Sequence, residues 1–369
     1  MSDRLKRLFS EYGQSPWLDN LKRSYITSGE LDRVCANGIR GLTSNPTIFQ
    51  KAIQGSDEYT EQFKSLISSG TSPLESYWAL VLQDIHGALD VFAPLYESSG
   101  GVDGFVSVEV DPSLADKGEQ TLVAARQLDE RVNRDNVMIK IPATAEGIPA
   151  IRAMIGEGRN VNVTLIFSLE RYQEVMNAYI QGLELLAVSA PQKVGRVASV
   201  ASFFISRVDT EIDRLLEHNG VDEAIALCGT AAVNQAKLAY QMFEKAFSGK
   251  RWNDLLKHGA RVQRPLWAST STKNSKYPDT LYVDSLIGPN TVNTLPDSTV
   301  DAFSSRGSLA LTITKDVDRA NAQWLQLKEF GVNVADVATR LEREGVKSFQ
   351  NSFDELISVL TAKANELNQ

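Results

Sequence analysis

One unit recurs along this chain: a short apolar run, a polar residue at its end, then a helical pattern. Strands are predicted near Pro16–Asp19, Gly38–Thr43, Gly104–Val110, Val137–Ile141, Asn160–Phe167, Arg196–Ser202, Pro265–Ser269 and Leu281–Asp284. Between most of them, Leu74–Tyr96, Asp116–Val132, Glu146–Ile155, Leu169–Val188 and Asp222–Phe247 repeat apolar residues at three- and four-residue spacing, the period of an amphipathic helix. Strands that alternate with helices build a parallel sheet, and eight such units predict a (β/α)8 TIM barrel. Arg4–Tyr12 and the tail from about Lys315 to Asn368 read as further helices. The expectation is one barrel domain over residues 1–369, with an N-terminal helix in 1–14 and a C-terminal helical extension in 315–369 packed on the barrel.

Composition narrows the function. With 43% hydrophobic and 23% charged residues the chain can fill a large core, which excludes disorder of the whole. A net charge of −8 disfavours general binding to nucleic acid or an anionic membrane but allows a local basic pocket. Two cysteines, Cys35 and Cys228, build no disulfide framework, and a cytoplasmic home is expected. The N-terminus lacks the apolar core of a signal peptide, and no apolar run approaches the roughly 20 residues of a membrane span. No P-loop or strand-linked Gly-x-Gly-x-x-Gly occurs, and the basic residues form no stripe. His86, His218 and His258 fall in helical patterns, none at a strand end, so neither a histidine metal site nor Ser-His catalysis is expected. The cysteines also fall in helical patterns and read as packed thiols.

Alternation along the strands supplies orientation. In Val137-Met138-Ile139-Lys140-Ile141 the branched residues share one face, so Lys140 faces the other, the barrel interior. By the same rule Ser107 and Glu109 point inward from Phe105–Val110, and the polar residues of Asn160–Leu165 share a face. Three consecutive strands thus put polar groups where aliphatic layers normally pack, at about 1–3 kcal/mol for each group left unsatisfied. Barrel active sites lie at the C-terminal strand ends, where these residues fall.

Lys140 is the centre of this pattern. Desolvation favours the neutral amine, the nucleophile that forms a Schiff base with a carbonyl. The structural alternatives are a buried ion pair with Glu109 and a lysine snorkelling from a strand end. Glu109 could relay the protons that Schiff-base formation needs, or serve only as that counter-charge. Asp19 reads as a second acid/base or as a helix cap ahead of Asn20. Thr43 and Asn45 end the second strand, and Pro46 makes Asn45 or Ser44 a helix cap in the plainer reading. Arg207, where strand passes to helix after Ser202, could bind phosphate or pair on the surface with Asp209 or Glu211. Ser269 and Lys273, after the seventh strand, could complete such a pocket or form only a polar loop.

Taken together, the segments Gly41-Leu42-Thr43-Ser44-Asn45-Pro46-Thr47-Ile48-Phe49, Val106–Pro112, Ile139–Thr144, Asn162–Ser168 and Ala201–Arg207 resemble the transaldolase family, in the family's order along the chain. The helical tail is similar to the longer bacterial form. The resemblance implies a (β/α)8 barrel and a cofactor-free reaction through a lysine Schiff base. A dihydroxyacetone unit would move from sedoheptulose 7-phosphate to glyceraldehyde 3-phosphate, giving erythrose 4-phosphate and fructose 6-phosphate in the pentose phosphate pathway. It further implies that Lys140 is the nucleophile, that Glu109 relays protons through a water beside Thr164, and that Asp19 takes the hydroxyl proton as the carbon–carbon bond breaks. Asn45, Asn162 and Ser202, with Thr43 close by, would hold the dihydroxyacetone part, and Arg207 the phosphate. Where many relatives carry a second phosphate-binding arginine, this chain offers Ser269 and Lys273. The partners expected are sugar phosphates, with no nucleic acid and no membrane, and the protein a monomer or homodimer. A class I fructose 6-phosphate aldolase releasing free dihydroxyacetone is the alternative enzyme. A sugar-phosphate binding protein that forms no covalent adduct is the alternative from another class.

Overall fold

The computed structural model describes residues 3–367. Met1, Ser2, Asn368 and Gln369, at the outer ends of the two terminal extensions, lie outside the described residues. Eight parallel strands close a barrel in chain order: β1 (Gln14–Leu18), β2 (Gly41–Thr43), β3 (Phe105–Glu109), β4 (Val137–Pro142), β5 (Val161–Ile166), β6 (Ser199–Phe204), β7 (Arg264–Ala268) and β8 (Thr291–Leu295). β8 returns to pair with β1 along its length. Helices ring the barrel, so the architecture is the (β/α)8 barrel that the alternation predicts.

Seven expected strands fall on observed ones with shifted ends; the eighth does not. Leu281–Ser285 is a short helix, and the last strand is Thr291–Leu295. Leu281–Asp284, three apolar residues and an aspartate, carries too little period to tell helix from strand, whereas Thr291-Val292-Asn293-Thr294-Leu295 is mostly polar and offers no apolar run. The long helix expected over Asp222–Phe247 is broken into Asp222–Ile225 and Ala231–Ala246. The break holds Gly229, at φ +75° against the Tyr277 ring. Cys228 therefore lies in a turn rather than a helix, and His258 in the turn after Gly249–Leu256.

Close packing fixes the early strands. Trp17 is fully buried beside Phe105, and a Cβ on Gly41 would come within 2.5 Å of the indole, so β2 can start there only with glycine. Near the N-terminal strand ends the interior is plugged by ions. Arg264 of β7 donates to Ser15 Oγ at 2.9 Å and Asp103 Oδ1 at 3.0 Å, and Arg40 donates to Asp103 Oδ2 at 2.6 Å. Burial works against the Asp103 charge, but Arg264 and Arg40 outweigh it and hold the carboxyl below its ordinary value. Buried ion pairs close this end, which leaves the C-terminal ends for chemistry.

The C-terminal helix Val334–Leu367 crosses the barrel mouth. Ser352 Oγ meets Thr47 Oγ1 at 2.8 Å, Gln350 donates to the Pro112 carbonyl at 3.2 Å, and Phe353 packs edge-on against Tyr77. Thr47 and Pro112 directly follow β2 and β3, so the helix is tied to the same rim that carries the candidate site.

Candidate active site

Register brings the central residues together. Glu109 on β3 lies beside Lys140 on β4, and Lys140 beside Asn162 on β5. All three are buried. Lys140 Nζ lies 3.2 Å from Glu109 Oε2 and donates to the Ser44 carbonyl oxygen at 2.8 Å. The ion-pair alternative is thus real in this state. It does not account for Glu109 fully, because neither of its oxygens accepts a well-directed hydrogen bond among the described residues. Burial pushes the Glu109 carboxyl above its ordinary value, with Lys140 opposing. A buried carboxyl with uncommitted oxygens beside an amine can take and return a proton through a water.

Asp19 lines the same cavity and caps no helix; the next helix, Arg23–Thr27, starts after Lys22. Burial raises its carboxyl, and Lys140, Lys273 and Arg207 oppose that rise. Asn45 does both things its position allows. Its side-chain oxygen accepts from Ile48 N at 3.0 Å, capping the helix Pro46–Gln54, while the residue also lines the cavity, leaving the amide N–H groups for a ligand. Ser202 Oγ donates to Asn162 Oδ1 at 2.7 Å, and Asn162 Nδ2 donates to Ser107 Oγ at 3.0 Å. This chain fixes the Asn162 amide and leaves it one N–H free. Thr43, Thr164 and Ser269 complete the polar wall.

Arg207 opens the helix Ser206–Asn219 and points into the cavity. It makes neither surface pair considered for it: Asp209 is buried and accepts from Ala232 N at 2.6 Å, and Glu211 is held by Arg214 and Arg340. Among the described residues its guanidinium makes no hydrogen bond or close ion pair; it lies 5.2 Å from the Phe204 centroid, and burial lowers its pKa with Asp19 and Glu344 opposing. An unpaired, half-buried guanidinium at a helix start is an anion site in waiting. Lys273 lies outside the cavity wall, though its charge reaches Asp19 and Arg207. It is exposed, donates to Ser271 Oγ at 2.8 Å, and lines a neighbouring cavity of about 210 Å³ rather than the one holding Lys140.

Two residues here hold left-handed backbone without being glycine: Leu165 at φ +61°, inside a register shift of β5, and Ser269 at φ +57° after β7. Such conformations cost of order 1–3 kcal/mol and gather at functional sites. The cavity holds about 90 Å³ and is narrowed by Phe204, Leu266, Thr294 and Phe349, which sequence reasoning did not single out. Thr294 lies on β8, which its polar residues Thr291, Asn293 and Thr294 hide as a strand. Phe349 left no local signal. A larger groove of about 880 Å³ flanks the C-terminal helix but contains none of Lys140, Glu109, Asp19 or Arg207.

A closed parallel barrel with a lysine, two carboxylates and an unpaired arginine at its C-terminal mouth defines a (β/α)8-barrel enzyme. Comparison with known proteins narrows the class. The family described as Transaldolase/Fructose-6-phosphate aldolase matches residues 16–360. A transaldolase of Parafrankia sp. is 48% identical over 353 residues, 95% of each chain. A transaldolase of Thermobifida fusca is 47% identical over 359 residues, 97% of each, and one of Frankia alni 46% identical over 362 residues, 98% of this chain and 97% of its own. The chain belongs to the transaldolase/fructose-6-phosphate aldolase family, and its activity is that of a transaldolase, the transfer of a ketol unit; these relatives do not favour the aldolase alternative.

Proposed function

We propose that this enzyme moves a dihydroxyacetone unit from sedoheptulose 7-phosphate to glyceraldehyde 3-phosphate, giving erythrose 4-phosphate and fructose 6-phosphate, through a Schiff base on Lys140. The observation that carries this reading is Lys140, 3.2 Å from the buried Glu109, in a cavity that the lysine shares with Asp19 and an unpaired Arg207. The neutral amine adds to the donor ketone, and Glu109, through a water beside Thr164, brings the proton on which the hydroxyl leaves as water. Asp19 takes the proton from the fourth-carbon hydroxyl, the adjacent carbon–carbon bond breaks, and the electron pair stays on the lysine-bound three-carbon enamine. The Asn45 and Asn162 amides and Ser202 hold its hydroxyls, with Thr43 beside them. The acceptor aldehyde then reacts with the enamine in the reverse sense. The cavity is built within one chain, so a monomer or a homodimer serves, and the two half-buried thiols fit a reducing cytoplasm. The test is transfer itself: both products form when the two substrates are supplied together, while fructose 6-phosphate alone yields little free dihydroxyacetone. Steady release without acceptor would make the enzyme an aldolase.

The phosphate assignment has its own test. Arg207→Ala raises KM for phosphorylated substrates about 10–100-fold, the worth of a charged hydrogen-bonded contact, and affects unphosphorylated fructose far less. Lys273→Ala, in which the residue removed is an exposed point charge with a serine partner, raises KM less than about fivefold. Equal effects on fructose and fructose 6-phosphate would remove Arg207 from the phosphate site.

A further inference from the structure

The C-terminal helix does more than cover the barrel. At its closest approach it carries Gly345, where a Cβ would stand 3.0 Å from Leu165 Cδ2 and 3.4 Å from Arg207 Nη1. One turn later comes Phe349, only 4% exposed, whose side chain forms a wall of the cavity containing Lys140, Asp19 and Arg207. One turn later again, Phe353 packs on Tyr77 and lines the small apolar space beside Glu109. The helix is anchored without Phe349: Ser352 holds Thr47, Gln350 holds the Pro112 carbonyl, Arg171 meets Glu342 at 3.5 Å, and Leu356 and Leu360 are buried. An apolar ring facing a polar cavity therefore needs a reason other than attachment. At about 90 Å³ the cavity is far below the roughly 300 Å³ of ordinary ligand pockets, and Phe349 and Phe204 are the aromatic rings in its wall.

We infer that Phe349 is a specificity-determining residue: it excludes bulk water from the three-carbon enamine between the two half-reactions, so that the unit is transferred rather than released. The inference rests on the Schiff-base reading above. In transfer, the enamine carbon bonds to the aldehyde carbon of the acceptor, and the aldehyde oxygen takes the proton. In release, that same carbon takes a proton from water instead, giving the iminium of dihydroxyacetone. Water then adds to the iminium carbon, the C–N bond breaks, and the lysine amine departs with free dihydroxyacetone formed. The branches differ in whether a proton reaches the carbon before an acceptor does. A ring over the cavity slows the first without touching the second.

The experiment compares the unaltered chain, Phe349→Ala and Phe349→Val. Fructose 6-phosphate is the donor, and free dihydroxyacetone and sedoheptulose 7-phosphate are measured with and without erythrose 4-phosphate. Release relative to transfer rises about tenfold or more in the alanine chain and at least about threefold in the valine chain. Borohydride still traps a three-carbon adduct on Lys140 in each. The valine chain keeps the helix buried and carries the test if the alanine chain does not fold. An unchanged ratio in the folded variants, with the adduct still trapped, overturns the role of Phe349 alone. Absence of any adduct in the unaltered chain overturns the Schiff-base reading and this inference with it.

Discussion

Lys140→Met and Lys140→Arg both lose transfer activity by at least about 10⁴-fold, the order expected when a covalent nucleophile is removed. The pair of variants separates two roles that the geometry alone superimposes. Lys140 sits 3.2 Å from Glu109, so it is at once the candidate nucleophile and the counter-charge of a buried carboxyl. Arginine keeps a positive charge beside Glu109 but stays protonated and cannot form an imine. If the lysine served only as counter-ion, the arginine chain would retain turnover. Methionine keeps the volume and removes the charge, which leaves Glu109 buried without its partner; burial already raises that carboxyl, so it takes a proton rather than remaining a bare charge. Thermal unfolding separates a folding defect from a chemical one. Borohydride reduction after incubation with fructose 6-phosphate gives a dihydroxyacetone-sized adduct on Lys140 in the unaltered chain and none in either variant. An adduct that persists in them on another lysine would move the nucleophile elsewhere.

The sequence made the barrel legible wherever strands were long enough to alternate. β3, β4 and β5 each show a clear period of two, and their inward residues Glu109, Lys140 and Asn162 fall at neighbouring register positions. The reading failed where the period was short or hidden. Leu281–Ser285 is apolar enough to look like a strand and too short to show a helical turn, whereas β8 hides because Thr291, Asn293 and Thr294 lower its hydropathy. The break at Gly229 is set by a ring more than forty residues away in the sequence, Tyr277, which no local pattern contains.

The site was legible in the same degree. Residues at strand ends were named because a barrel puts chemistry there, but their competing roles could be weighed only with the fold in hand. Arg207 had two surface partners within reach of one helical turn, and both are engaged elsewhere. Asn45 performs the cap and lines the cavity together, because an amide presents its oxygen to the helix and its nitrogen to the ligand. Phe349 was out of reach for a different reason. It lies on a helix whose apolar stripe continues through Leu341, Phe353, Leu356 and Leu360, and only the crossing of that helix over the mouth distinguishes one member of the stripe from the others.

Asp19→Asn stops the reaction after imine formation rather than before it. Lys140 and Glu109 are untouched, so the donor still condenses, but no base removes the hydroxyl proton as the carbon–carbon bond breaks. Turnover falls on the order of 10²–10⁴-fold, the usual worth of a positioned general base. The trapped species identifies the step. Borohydride fixes the whole six-carbon sugar phosphate on Lys140 in the asparagine chain, whereas the unaltered chain yields the three-carbon adduct; a three-carbon adduct in Asp19→Asn would assign proton abstraction to another group. The pH dependence follows from burial. Asp19 works as a base only when ionised, and burial raises its carboxyl above the ordinary value of about 3.9 despite Lys140, Lys273 and Arg207. Single-turnover cleavage therefore rises with pH through that elevated value and declines below it. Glu109 is raised as well, but it delivers a proton and so acts when protonated: adduct formation falls as pH rises through its elevated value, and steady-state turnover combines that basic limb with the acid limb of Asp19. Cleavage of a preformed imine reads Asp19 alone, because Glu109 acts in making and hydrolysing the imine. That limb disappears in Asp19→Asn while the limb for adduct formation stays, and the reverse holds for Glu109→Gln.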